Sequence, residues 1–304
     1  MNTTIDLFEM KAFVAVVTDG SFTTAAVRLG SDKARVSRII SRMEEKLGVQ
    51  LLIRSTRSLY VTEVGRDYFE RALSILTAAE AAESAVAQQS GELKGLLKVT
   101  AGAEFGAMVV DGWIAEFLGL SPKVTVETEY TNRLVDIIHE GVDIAVRVGA
   151  LQDSGLSARK LGEVTYGLYA SSDYLAARPE LSQVSDLKYH DLIMKTQRGR
   201  PMWALTNGSH AENIAESPRA AVNSIITARN LALAGVGIAQ LPRFLAEPHL
   251  KDGTLSLILS DWAQAPAPVH AVFASSRYMD PKVRSFVDLC VGSFRTTVAV
   301  GKVS

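Results

Sequence analysis

The chain has 304 residues, of which 47% are hydrophobic, with 32 basic and 33 acidic side chains and a net charge of -1. At roughly 100–200 residues per domain this suits two or three domains, and a near-neutral total leaves nucleic-acid binding to be decided by the local distribution of charge. A single cysteine excludes an intramolecular disulfide and fits a reducing compartment. No stretch approaches the ~18–20 uninterrupted apolar residues of a membrane span, and the opening residues lack the basic-then-apolar pattern of a secretion signal. A cytoplasmic location is therefore expected.

In chain order, Leu7, Met10, Phe13, Val14 and Val17 recur at helical spacing and predict a first helix, ended by Asp19-Gly20. Ser21 is a good N-cap for a second helix from Phe22 to Leu29, stopped at Gly30. Asp32 caps a third, running to about Leu47 before Gly48. Two helices joined by a short glycine-containing turn form a helix-turn-helix signature. Strand-like runs then flank Ser55-Thr56-Arg57-Ser58, which reads as a short basic hairpin, or wing. Thr62 caps a long alanine-rich helix from about Glu63 to Gln89, on which Ile75, Ala79, Ala82 and Val86 share a stripe led by Tyr68 and Ala72. Small residues on such a stripe permit close helix approach, so a dimer helix is expected, with a solitary linker helix as the alternative. Gly91 and Gly95 are expected to mark a hinge. Beyond it strands and helices alternate: LLKVTAG and KVTVETEY, each followed by a helix, then VDIAVRVG and VTYGLYAS. This predicts a parallel-rich α/β sheet. Lobe one is expected over 96–164 with the returning segment from 267, and lobe two over 165–266. Cys290 falls in line with Val283, Phe286, Val287 and Phe294, which predicts a buried, inert thiol; redox sensing is the alternative.

At 100° per residue, Val36, Ile40, Met43 and Leu47 of the third helix face inward with Ile39 beside them, while Ala34, Arg38, Ser41 and Glu45 face away, flanked by Ser37 and Arg42. Between residues 28 and 57 the bases Arg28, Lys33, Arg35, Arg38, Arg42, Lys46, Arg54 and Arg57 outnumber the acids Asp32, Glu44 and Glu45. A basic segment in an otherwise slightly acidic chain is the electrostatic footprint of a nucleic-acid binder. The N-terminal half of the third helix, Lys33, Ala34, Arg35, Ser37 and Arg38, is expected to enter the major groove, with Lys33, Ser37 and Arg38 reaching base edges. Arg42 and Arg54 suit phosphates, and Arg57 at the wing tip suits the adjacent minor groove. Each charge taken singly also fits a solvated helix face.

The stretch from FVAVVTDGSFTTAAVRLG through VSRIISRMEEKLGVQLL, Arg54-x-x-Arg57 and LYVTEVGR resembles the DNA-binding domain of LysR-type transcriptional regulators. The likeness continues through FGAMVVDGWIAEFL, VDIIHEGVDIAVRVG, LSARKLGEV, GVGIAQLP and VRSFVDL, so it covers nearly the whole chain. It implies a winged helix-turn-helix (residues 1–62), a linker helix (63–90) and a two-lobed effector domain (91–304) resembling periplasmic binding proteins, with a small effector between the lobes and a homotetramer. The residues themselves support only a helix-mediated homodimer. The chain departs from the family at Asp32 (Ser or Thr is usual), Lys33 (Gln or Ser) and Arg35 (Ala or Pro), so its groove contacts are expected to differ. Arg35, at the flank of the buried face, needs its stem to snorkel outward.

Strand ends suggest the lining of the effector cleft: Thr100, Ala101, Gly102, Ala103 and Glu104 where a strand gives way to a helix N-terminus, Tyr130 and Thr131, Val148 and Gly149, and Thr196 and Asn223 in lobe two. Backbone N–H groups at a helix N-terminus suit an anion. Glu104 stands where relatives often carry a small polar residue, and Gly102 where Pro is common. Its carboxylate either favours the helix dipole as a first-turn acid or occupies the anion site itself, which implies an effector with a positive or donor group.

No cofactor, metal or enzymatic activity is expected. The sequence has no G-x-S-x-G elbow, H-E-x-x-H or P-loop, and His139, His190, His210, His249 and His270 are scattered. Gly235-Val236-Gly237 follows a helix and precedes a strand, the reverse of a dinucleotide-binding loop. A solute-binding transport component fits only the C-terminal two-thirds, and an architectural DNA protein needs no cleft. The expected partners are promoter DNA and an unidentified small molecule.

Overall fold

The computed structural model describes residues 5–54, 59–89, 93–138, 140–151, 155–196, 202–208, 210–274 and 279–298. The chain opens with helices α1 (Leu7–Asp19), α2 (Phe22–Arg28) and α3 (Lys33–Leu47), then a hairpin of β1 (Leu52–Arg54) and β2 (Leu59–Val61), then the long helix α4 (Glu63–Gln89). Local capping sets these bounds. Asp6 and Glu9 form a reciprocal capping box at α1, and Ser21 and Asp32 accept from the backbone of Thr24 and Arg35. Gly20 and Gly48 end α1 and α3 in the left-handed conformation, which a residue lacking Cβ adopts without strain. Thr62 accepts from the Gly65 N–H at 2.9 Å. There α4 passes so close to the hairpin that a Cβ on Gly65 would stand 2.2 Å from the Leu51 carbonyl oxygen.

Phe13, Val16, Ala25, Ala26, Val36, Ile40, Met43, Leu51, Leu52 and Phe69 form the core of this first unit. The residues whose spacing predicts α1 are not the ones it buries, Phe13 excepted. Ala12, Phe13, Ala15 and Val16 are buried, whereas Leu7 is exposed and Met10, Val14 and Val17 are half-buried. A pattern search tuned to large apolar residues passes over alanines, and here the alanines let α1 approach its neighbours.

The remaining chain forms two five-stranded sheets. The first takes β3 (Lys94–Ala101), β4 (Lys123–Tyr130), β5 (Ile144–Val148), β6 (Ser157–Val164) and, at the far end of the chain, β14 (Ala267–Phe273), in the order β4-β3-β5-β14-β6. Between β3 and β4 run α5 (Ala103–Phe105), a π-helical segment (Gly106–Val110) and α6 (Asp111–Leu120). The second sheet takes β7 (Tyr166–Ala170), β8 (Leu192–Lys195), β11 (Ala220–Val222), β12 (Ile238–Pro242) and β13 (Ser256–Ile258), in the order β11-β8-β12-β7-β13. Around it lie α7 (Ser172–Ala176), the hairpin β9 (Trp203–Asn207) and β10 (His210–Ile214), α8 (Ile225–Leu233) and α9 (Arg243–Lys251), and α10 (Pro281–Thr297) closes the first sheet.

Both sheets are mixed rather than parallel-rich. In the first, β4, β3 and β5 run parallel while β14 pairs antiparallel with β5 and β6. In the second, β11, β8 and β12 run parallel while β7 pairs antiparallel with β12 and β13. The antiparallel pairs arise where the chain crosses between the sheets and returns, a long-range event invisible to local alternation. The second sheet is covered on both faces with the strand period of two. Leu168, Ala170, Leu192, Met194 and Ile238 face Tyr174, Trp203 and Leu205, while Tyr169, Ile193 and Ala239 face α8 and α9. The first packs Leu97, Val99 and Val146 against Trp113, Phe117, Phe286 and Cys290.

Two further expectations are corrected. The segment after Tyr130 contains turns, not a regular helix, among the described residues; Arg133 is held by both Glu129 and Glu140, and Glu140 also accepts from the Asp136 N–H. Gly95 lies within β3, paired with Val124, rather than at a hinge; Gly91 lies outside the described residues.

Candidate nucleic-acid interface and ligand cleft

α3 buries Val36, Ile40 and Met43 and leaves Lys33, Ala34, Arg35, Arg38 and Arg42 exposed, with Ser37 half-buried. Arg35 does turn outward: it is exposed, and its guanidinium lies over the ring of Phe8, itself an exposed residue of α1, at 5.9 Å. The Arg38 Nε donates to the Ala34 carbonyl at 3.3 Å, one turn back along the same exposed face.

The charges of this unit divide sharply. Lys46 donates to both carboxylate oxygens of the buried Glu9, at 2.8 and 2.9 Å. Arg28 is held between Asp19 and the Ala15 carbonyl. The acids are engaged as well: Asp32 caps α3, and the Glu44 carboxylate accepts from the Leu51 and Leu52 N–H groups at 2.8 and 3.0 Å, fixing the start of the hairpin. Arg35, Arg38 and Arg42 lie on the exposed side of α3 with Lys33 at its first turn, which concentrates positive potential there. Arg54 ends β1; Arg57 lies outside the described residues.

The second candidate site lies where the parallel strands of the two sheets end, the usual crevice in α/β folds. Glu104, on α5 beside the first sheet, reaches the second. Its carboxylate accepts from the Ser224 hydroxyl at 2.5 Å and the Ile226 N–H at 3.4 Å, at the start of α8, and pairs with the Lys195 ammonium at 3.7 Å, at the end of β8. Phe105 meets Phe244 of α9 edge-to-face at 6.1 Å beside this bridge. The geometry thus brings Glu104 to the segments carrying Thr196 and Asn223.

The other cleft candidates stay within their own lobes. Thr100 and Ala101 are fully buried, and the Thr100 hydroxyl donates to the Glu129 carbonyl at 2.6 Å. The Ala103 N–H donates to the Asn132 side chain at 3.1 Å, beside Gly102. Tyr130 donates to Asp111 at 2.6 Å and covers Gly106, where a Cβ would stand 2.6 Å from the ring. Burial first, and then this hydrogen bond, push the Tyr130 phenol well above its usual range. Thr131 accepts from Arg147 through its carbonyl at 3.2 Å. Val148 is exposed, and the Gly149 N–H donates to the Pro268 carbonyl at 2.8 Å. The Thr196 N–H donates to the Val222 carbonyl at 2.6 Å, and Asn223 is exposed.

Sequence reasoning missed Ser224, Lys195, Asn132 and Arg147. Ser224 carried a signal as the N-cap of the SIITARNLALA helix. Arg147 stands at the end of β5 with one guanidinium nitrogen buried and without a partner among the described residues. Also among the described residues, no group of side chains is arranged to hold a metal ion, and no helix is long and apolar enough to cross a membrane.

Comparison with known proteins gives a consistent picture. Residues 7–66 match the bacterial regulatory helix-turn-helix model of the lysR family, and residues 90–295 match the LysR substrate-binding domain. An HTH-type transcriptional regulator of Xanthomonas campestris is 34% identical over 293 residues, covering 95% of this chain and 85% of that protein. The solved structure of CrgA, a LysR-type transcriptional regulator from Neisseria meningitidis, aligns with a TM-score of 0.61 at 32% identity, covering 95% of this chain and 99% of that one. The full-length Vibrio cholerae virulence activator AphB aligns with a TM-score of 0.59 at 28% identity and the same coverage.

Proposed function

The chain belongs to the LysR family of bacterial transcription regulators, DNA-binding proteins with an effector-binding domain, and from that premise we propose how its residues divide the work. α3 lies in the major groove. Lys33, Ser37 and Arg38 read base edges there, and Ala34 and Arg35 lie against the groove wall. Arg42 and Arg54 neutralise phosphates and set register, and Arg57 on the wing reaches the neighbouring minor groove. The observation that carries this reading is the division of charge. Lys46, Arg28, Glu44 and Asp32 are engaged within the unit, while Arg35, Arg38 and Arg42 project from the exposed side of α3 and Lys33 is exposed at its first turn.

The cleft between the two sheets takes a small molecule, and its occupancy changes promoter binding or activity. We place the boundaries at residues 62/63 and 90/91, with lobe one over 96–164 plus 267–304 and lobe two over 165–266. The protein acts in the cytoplasm, without enzymatic activity, as a homodimer or homotetramer joined through α4. The test is a titration of the protein's own upstream DNA against a random fragment at matched salt, with and without candidate metabolites. Specific binding that shifts with one metabolite supports the reading. Equal affinity for both DNAs contradicts its DNA-reading half, and indifference to every metabolite its regulatory half.

A further inference from the structure

The Glu104 bridge joins groups 120 residues apart and from different lobes. It is a specific constellation rather than a surface pair: the Glu104 side chain is 17% exposed. Around it converge a hydroxyl, a backbone N–H at the start of a nine-residue helix, and an ammonium. Ser224 is fixed for its part, because its oxygen also accepts from the Thr227 N–H at 3.2 Å while its own proton goes to Glu104. Three donors, two of them reinforced by positive charge or a helix dipole, present one position suited to an oxyanion. Glu104 fills it from the opposite lobe, and the neighbouring Phe105 also meets that lobe through Phe244.

We propose that Glu104 is a tethered carboxylate acting as a specificity-determining latch between the lobes. It holds the oxyanion position at the start of α8, so a small carboxylate gains that position only when Glu104 gives it up. This rests on reading the cleft as the effector site. A second carboxylate entering beside Glu104 meets like charge, and withdrawing Glu104 with nothing in its place leaves the part-buried Ser224 hydroxyl and Ile226 N–H without their acceptor and Lys195 without its counter-charge, which is unfavourable. An effector that uses this site therefore brings an acceptor of its own, and replaces one inter-lobe contact by a contact through the ligand.

The test uses the full-length protein and acetate, the fragment that Glu104→Ala deletes. Exchange of the Ile226 and Thr227 amides is followed together with the thermal midpoint, in sodium acetate and in sodium chloride of equal ionic strength. In the wild type, acetate acts no differently from chloride. In Glu104→Ala the amides exchange roughly tenfold faster or more, as expected for loss of a charge-assisted acceptor, and acetate but not chloride restores them saturably. Adding Lys195→Ala or Ser224→Ala to Glu104→Ala abolishes the rescue. Unchanged exchange in Glu104→Ala, or an equal acetate response in the wild type, overturns the proposal, as does a folded Glu104→Ala without rescue. If Glu104→Ala does not fold, Glu104→Ser, which also empties the position but keeps a small polar side chain, must show faster exchange and an acetate response, and wild-type behaviour in both overturns the proposal. These readouts involve neither DNA nor effector. A protein whose promoter binding ignored every metabolite would therefore count against the effector reading and leave the latch standing, while a failed rescue would do the reverse.

Discussion

Glu9 and Lys46 show how one part-buried pair can sort the charges beside a proposed DNA-binding surface. Glu9 is 5% exposed and carries both the α1 capping box and the Lys46 bridge. Removing Lys46 leaves a buried carboxylate without its counter-charge, which costs about 3 kcal/mol, the lower end for breaking such a pair because the Asp6 N–H still donates. Lys46→Ala is expected to speed exchange of the α3 amides accordingly, and Glu9→Gln combined with Lys46→Met to recover most of the loss. Unchanged exchange in Lys46→Ala would assign the pair no structural role. Cys290 supplies a second check at this scale. It is fully buried among Phe286, Phe294 and Trp113, and burial pushes its thiol well above the usual range, so little thiolate forms near neutral pH. Native protein should resist maleimide until it unfolds; stoichiometric labelling of folded protein would reopen redox sensing.

Among the elements, α4 is the one proposed to link assembly to DNA reading. Its buried stripe is Phe69, Ala72 and Leu76, so Ala72 is covered by the chain's own residues and does not belong to the seam expected from sequence. Ile75 and Ala82 are exposed and Ala79 half-buried, on another side of the helix; the side chain of Val86 lies outside the described residues. A seam there with a second copy would be narrow and closely approached. Ala79→Glu with Ala82→Glu places charges in it, and desolvating them is costly. The double variant is expected to sediment as a smaller species and to lose the gain of a paired operator site over a half-site, because the separation of two α3 helices sets half-site spacing. If it stays oligomeric and still prefers the paired site, α4 is a linker only.

Across the whole molecule, what the sequence made legible was local. Asp32, Ser21, Thr62 and Gly48 carry their capping within a few residues, so the bounds of α2, α3 and α4 could be read from the chain alone. What escaped depended on residues far apart. Lys46 finds Glu9 across 37 positions, Glu104 finds Ser224 across 120, and β14 returns to the first sheet from the far end of the chain. The alternation of strands and helices alone predicts a helix after Tyr130, but the Arg133 pairings with Glu129 and Glu140 accompany turns there. The same contrast applies to function: the proposed recognition helix is one contiguous stretch, whereas the proposed cleft is assembled from strand ends that only the fold brings together.

The central claim is that the exposed side of α3 contains residues that read DNA and residues that only position it, and salt titrations of Arg38→Ala and Arg42→Ala on the protein's own upstream DNA and on a shuffled fragment test it most directly. Arg38→Ala should lose about 1–3 kcal/mol on the specific DNA and little on the shuffled one, relaxing the preference. Arg42→Ala should weaken both alike and flatten the salt dependence by about one unit. If the two variants behave identically on both DNAs, the division between reading and positioning is contradicted.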